Sequence, residues 1–170
     1  VLALSFFSVL ALIFAPVFGD GKNGLTYADD LFNKLSKGSS YFIPKLQKDV
    51  DDYAGRAFEA TVKLDKPETA ALAVTLFSGA GASASADGET LTVSGDLGAV
   101  VTAALRDSDE MYRNDGAVVS SRYGGVKEKA VLKAWHTSFT AIDKYLKKNG
   151  KIGEAKMVSD VMKKAIETAY

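Results

Sequence analysis

FEATVKL, residues 58–64, is the stretch whose reading decides the fold: Phe58, Ala60, Val62 and Leu64 alternate with Glu59, Thr61 and Lys63. A period of two puts the apolar set on one face and the polar set on the other, which is the pattern of a half-buried strand. Just beyond it, Pro67 and Glu68 open a helix through Ala70, Ala71, Leu72, Val74, Leu76 and Phe77, closed by Gly79. Two short runs, Ala82 to Ala86 and Thr90 to Val93, then flank Asp87-Gly88, a tight hairpin signal. Asp96 caps a helix carrying Leu97, Val100, Val101, Ala104, Leu105, Ser108, Met111 and Tyr112.

The order over residues 56–113 is therefore β-α-β-β-α. It predicts an α+β core: a small antiparallel or mixed sheet of three strands with these two helices on one face, related to the split β-α-β arrangement. Both helices are rich in alanine and can sit close to the sheet. If the first strand pairs in parallel with its neighbour, the crossover is right-handed.

Towards the carboxyl end, RNDGAVVSSRYGG (113–125) reads as a loop by composition, with residues 114–125 as the linker proper. Residues 126–170 then carry a helical hairpin packed on the core. Its first helix shows the clearest periodicity in the chain, Val131, Trp135, Phe139, Ile142 and Leu146, and stops at Asn149-Gly150. The second runs from Ile152 through Ala155, Val158, Val161, Met162, Ala165 and Ile166.

Towards the amino end, residues 20–55 read as a tether and two short helices. One is capped by Thr26, carries Leu31, Phe32 and Leu35, and ends near Lys37; the other has Pro44 in its first turn, Leu46, Val50 and Tyr53 on one side, and ends near Gly55. Residues 1–19, VLALSFFSVLALIFAPVFG, contain no charge. As a helix they would rise roughly 28 Å, close to the roughly 30 Å hydrocarbon core of a bilayer. Val17 and Gly19 also suit the minus-three and minus-one positions of signal cleavage before Asp20. An N-terminal transmembrane or signal-anchor helix and a cleaved secretory signal both remain open, and both put the chain on the export route. Pro16 limits the continuous helix to about fifteen residues.

Twenty-one basic and twenty-one acidic side chains cancel, so no net field draws in nucleic acid. The absence of cysteine excludes disulfides, Fe–S clusters, thiolate nucleophiles and covalent c-type haem.

No catalytic, cofactor or metal motif stands out. The run Gly79, Gly81, Ser83 and Ser85 follows a helix, whereas a phosphate cradle needs a strand before and a helix after. His136 is the only histidine; a b-type haem would need Met111, Met157 or Met162 as its second ligand. The acid groups Asp49, Asp51, Asp52 and Asp107, Asp109, Glu110 lack the spacing of a calcium loop. The latter group lies near a helix C-terminus, where acids oppose the helix dipole and call for a partner such as Arg113 or Arg122. Tyr112, Arg113, Arg122 and Tyr123 combine the residue types enriched at binding hot spots and, with Trp135, form the candidate interface. Trp135 serves equally as a core anchor.

These features predict a non-enzymatic, membrane-anchored accessory or structural subunit on the extracytoplasmic, periplasmic side of a bacterial membrane complex, a respiratory assembly being one such complex. Its expected partners are the lipid bilayer and integral membrane subunits met through the N-terminal helix, with no nucleic acid and no cofactor. The alternative is a secreted or periplasmic module that takes a small ligand between the sheet and the terminal hairpin.

Overall fold

The computed structural model describes residues 2–18, 21–29, 31–32 and 41–170. The chain divides into two units, Val1–Ser40 and Tyr41–Tyr170.

In the first unit, helix α1 (Leu2–Phe14) is apolar apart from two serines and has no charge. It stops two residues before Pro16, which has no amide to continue the ladder. Leu4, Phe6, Phe7, Val9, Leu12 and Phe14 are exposed, so its large apolar side chains face outward all round. Thirteen residues rise about 20 Å. No helix among the described residues is long and apolar enough to cross a membrane.

After α1, Phe18 and Lys22 exchange backbone hydrogen bonds at 3.0 and 3.2 Å. Residues 24–29 are helical. Here the structure corrects the expected cap: the Asn23 carboxamide accepts from the Thr26 amide at 2.9 Å, which puts Asn23 at the cap and Thr26 inside the first turn. The expected end of this helix near Lys37 lies outside the described residues.

The second unit begins with α2 (Ile43–Val50), whose Ile43, Leu46 and Val50 are buried, and which tightens into a single 3₁₀ turn at Asp51–Tyr53. Gly55 takes the left-handed conformation, φ +72°, that turns the chain into β1 (Ala57–Lys63). In β1 exposed and buried residues alternate strictly, as the sequence predicts. α3 (Pro67–Gly79) follows, then β2 (Ser83–Asp87), β3 (Thr90–Asp96) and α4 (Leu97–Tyr112).

The sheet order is β1-β3-β2 with both pairings antiparallel. β1 and β2 are thus parallel to each other with β3 between them, the split β-α-β topology. Asp87 pairs with Thr90, so the two loop residues are Gly88 and Glu89, one step later than Asp-Gly. Gly88 supplies the positive φ (+56°) that the first loop position of such a hairpin requires.

The Asp96 carboxylate starts α4 by accepting from the amides of Gly98 and Ala99, at 2.8 and 3.4 Å. It also accepts from the Gly55 amide at 3.0 Å, tying the start of α4 to the turn before β1. Gly98 permits this approach: a Cβ there would fall 2.8 Å from the Ala54 Cα.

Two expectations change in the second half. Residues 113–125 are not a continuous loop, since α5 (Gly116–Arg122) forms within them and buries Val119. The helix sharing the sheet face with α3 is not α4 but α6 (Glu128–Lys148), which packs on β1 and α3. The reason lies in side-chain size. Trp135 and Phe139 of α6 meet Phe77 of α3 with ring centroids 5.2 and 6.4 Å apart, filling the space that alanines of α4 would leave. α4, buried on more than one side, packs instead against α2 and the carboxyl-terminal helix. That last helix is α7 (Ile152–Val161), continued by a π-helical turn at Met162–Ile166 and a final turn at Glu167–Ala169. α6 and α7 make the expected terminal hairpin.

Candidate functional site

The acidic end of α4 is where the chain concentrates its polar chemistry. Three carboxylates lie in the last two turns of α4, and the two in the last turn, Asp109 and Glu110, oppose the helix dipole; the local backbone brings cations to them. Asn114 adopts φ +63°, while the Asp115 amide bonds the Glu110 carbonyl at 2.8 Å and the Asn114 amide bonds the Met111 carbonyl at 2.9 Å. This is a Schellman termination with asparagine in the left-handed position. It reverses the chain, so that α5 returns alongside α4 and delivers Arg122 to the acids.

Arg122 Nη1 donates to Asp107 Oδ1 at 2.5 Å and to Glu110 Oε2 at 2.7 Å, and Nη2 donates to Glu110 Oε1 at 2.6 Å. The other oxygen of Asp107 accepts from the Tyr123 hydroxyl at 2.6 Å and from Trp135 Nε1 at 2.8 Å. Asp107 is completely buried, and its charge is compensated by hydrogen bonds and by the guanidinium. Burial and the Asp107 carboxylate push the Tyr123 hydroxyl well above its ordinary pKa. The Glu110 hydrogen bonds hold Arg122 more firmly protonated still.

Around the same corner, Tyr41 donates to Asp109 Oδ1 at 2.5 Å, and Arg113 bridges Asp109 at 2.8 Å and the Tyr41 hydroxyl at 3.3 Å. The bond to Asp109 raises the pKa of the Tyr41 hydroxyl. The Tyr41 and Tyr112 rings lie 4.9 Å apart.

Of the five interface candidates, the structure draws Arg122, Tyr123 and Trp135 inward onto Asp107. Trp135 is fully buried and stacks edge-on with Phe139 at 5.4 Å; Tyr123 is 8% exposed. These two are core residues because their polar atoms are the donors that a buried carboxylate needs. Tyr112 and Arg113 stay nearer solvent, joined by Tyr41. Both oxygens of Asp107 and of Glu110 are occupied as acceptors, and no group of three metal-ligating side chains forms among the described residues. Asp49, Asp51 and Asp52 are exposed. The run from Gly79 to Ser85 passes from the end of α3 into β2, so a strand and not a helix follows it in the chain.

His136, half exposed, meets Glu167 at 3.1 Å beside a cleft of about 260 Å³ lined also by Lys133, Ile166 and Tyr170. Met157 and Met162 are buried, and Met162 Sδ accepts from the Thr140 hydroxyl at 3.0 Å.

A larger cleft of about 630 Å³ opens between the sheet and the terminal hairpin. Phe58, Glu59, Ser94 and Gly95 line it from the sheet, and Tyr145, Leu146, Asn149, Lys151 and Glu154 from the hairpin. Glu154 is held by Arg56 at 3.5 Å. No single residue in this cleft stands out by type; it is assembled by the packing of α6 on β1.

No protein-family model matches the chain, and no curated protein or solved structure matches it either.

Proposed function

We propose that the chain is a membrane-anchored, non-enzymatic accessory subunit whose 41–170 unit stands on the extracytoplasmic side of a larger membrane complex. The observation that carries this reading is α1. A helix with large apolar side chains exposed on every side is at home in lipid or among other apolar helices. Its length of about 20 Å falls short of the bilayer core, so it calls for a locally thinned bilayer or neighbouring integral helices. The 41–170 unit has its own core, built around Trp135, Phe77 and Phe139, and carries acids that are already paired. That combination favours a partner-holding role over turnover.

The test is extraction and cross-linking. The full chain in its native membrane resists alkaline carbonate, and a photoreactive residue at Phe7 cross-links to an integral membrane protein. Release into the carbonate supernatant would sink the anchor.

The 630 Å³ cleft favours a second reading, an exported small-ligand module, because it lies between the sheet and the hairpin where that reading puts its ligand. It predicts a mature chain lacking residues 1–19 and a ligand-dependent rise in melting temperature.

A further inference from the structure

The outer edge of β1 is an open hydrogen-bonding surface. In an antiparallel pair, alternate residues point their amide and carbonyl towards the partner strand and the others point them away. The Leu97 amide donates to the Arg56 carbonyl and the Leu64 amide to the Glu89 carbonyl, both at 2.9 Å, which sets the parity. Phe58, Ala60 and Val62 therefore bond β3, and the backbone groups of Ala57, Glu59, Thr61 and Lys63 point outward. Among the described residues, no loop or helix backbone bonds these outward groups. All four residues are exposed, and no bulge interrupts the seven paired positions. The opposite edge is shorter, with only Ala84 and Ala86 directed outward by the same parity.

The large cleft begins at the first residues of this edge, so an added strand would run directly into it. The partly exposed ring of Tyr145, backed by the buried Phe58 and Leu146, supplies apolar surface there for one side chain of that strand. Charge narrows the choice of strand. Lys63 is neutralised by Glu89 at 3.1 Å and Glu154 by Arg56. Glu59 on the edge and Lys151 on the hairpin side of the cleft have no ion-pair partner among the described residues, and Glu59 is the one that an added strand would meet directly. A basic residue opposite Glu59 is the favoured cross-strand pair.

We propose that the β1 edge and its cleft bind an extended peptide segment of a partner protein, added as a fourth strand with a basic residue opposite Glu59 and an apolar residue in the cleft. This rests on the reading of the chain as an interaction subunit and names the surface it would use. Main-chain bonds supply affinity and the cleft supplies specificity, as in strand addition generally.

The experiment is selection of a displayed random peptide library on the full chain in detergent, followed by hydrogen exchange with an enriched peptide. Enriched sequences alternate apolar and polar residues and carry lysine or arginine, and the peptide slows exchange at Ala57, Glu59, Thr61 and Lys63. Glu59→Lys, a surface change, weakens the peptide about three- to fivefold and turns the selected charge acidic. Thr61→Pro removes an outward amide without touching the ladder to β3, and lowers affinity at least about tenfold. Binders without alternation, protection confined to other amides, indifference to Glu59→Lys, or a small molecule that fills the cleft and leaves the edge amides unchanged would each overturn the proposal. Carbonate extraction of the same chain is scored separately, so loss of the anchor and loss of the edge site are distinguished.

Discussion

Replacing Asp107 by alanine tests whether the buried carboxylate organises the end of α4. The substitution removes the acceptor for two buried neutral donors, the Tyr123 hydroxyl and Trp135 Nε1. An orphaned buried donor costs about 1–3 kcal/mol, so the pair contributes about 2–6. Arg122 keeps both of its bonds to Glu110 and adds less. Removing a carboxylate also relieves its own desolvation, which offsets part of the loss. The net falls at about 3–5 kcal/mol, the range for breaking a buried ion pair. That is a large share of the 5–15 kcal/mol by which a domain is usually stable.

Asp107→Asn keeps the volume but turns an amide N–H₂ towards one set of donors, so it is nearly as damaging. Glu110→Gln is milder, at about 1 kcal/mol, because Glu110 is partly exposed and its loss is screened. The assay is urea unfolding followed by far-ultraviolet circular dichroism, since the substitution itself alters the fluorescence of Trp135. The midpoint falls and the slope stays unchanged. A loss below about 1 kcal/mol for Asp107→Ala would refute the reasoning.

Other outcomes follow from the same geometry. Tyr123 has a raised pKa, so its contribution is complete below the ordinary tyrosine value near 10 and is lost as pH climbs through the folded value. Stability measured between about pH 9 and pH 12 therefore declines in the wild type, and Tyr123→Phe flattens that decline while costing about 1–2 kcal/mol at neutrality. At Asn114, φ +63° predicts that alanine lowers stability by about 1 kcal/mol and glycine leaves it unchanged or slightly higher, read from thermal melts. Gly98→Ala drives a Cβ into the backbone at Ala54 and costs about 1–3 kcal/mol by urea titration; a neutral result would show that this junction yields freely.

Much of the fold was legible because local rules and tertiary packing agree. The alternation from Phe58 to Leu64, Pro67 at a helix start, Asp96 at a cap and the stripe from Val131 to Leu146 each appear as read. The misreadings have physical causes. Which helix covers the sheet depends on side-chain volume across elements, and Trp135 and Phe139 outweigh the alanines of α4. Glycines and serines at 113–125 suggest a loop, but Asn114 turns the chain tightly enough for α5 to bury Val119 against the core. At the candidate site, the misplaced acids near a helix C-terminus were the useful signal, and Arg122 is the cation they called for. Tyr41 gave no such signal, being 68 residues from Asp109 in the chain. The large cleft lies between the sheet and the hairpin, where the small-ligand reading expects it, but its lining depends on the seat of α6, and the free β1 edge needs the strand order to be seen.

The central claim is that residues 1–19 are kept and hold the chain at a membrane. Intact mass of the protein recovered from its own cells, with its fraction recorded, tests it most directly. The account predicts a species in the membrane fraction whose mass includes the uncharged segment VLALSFFSVLALIFAPVFG; a soluble species beginning at Asp20 would contradict it.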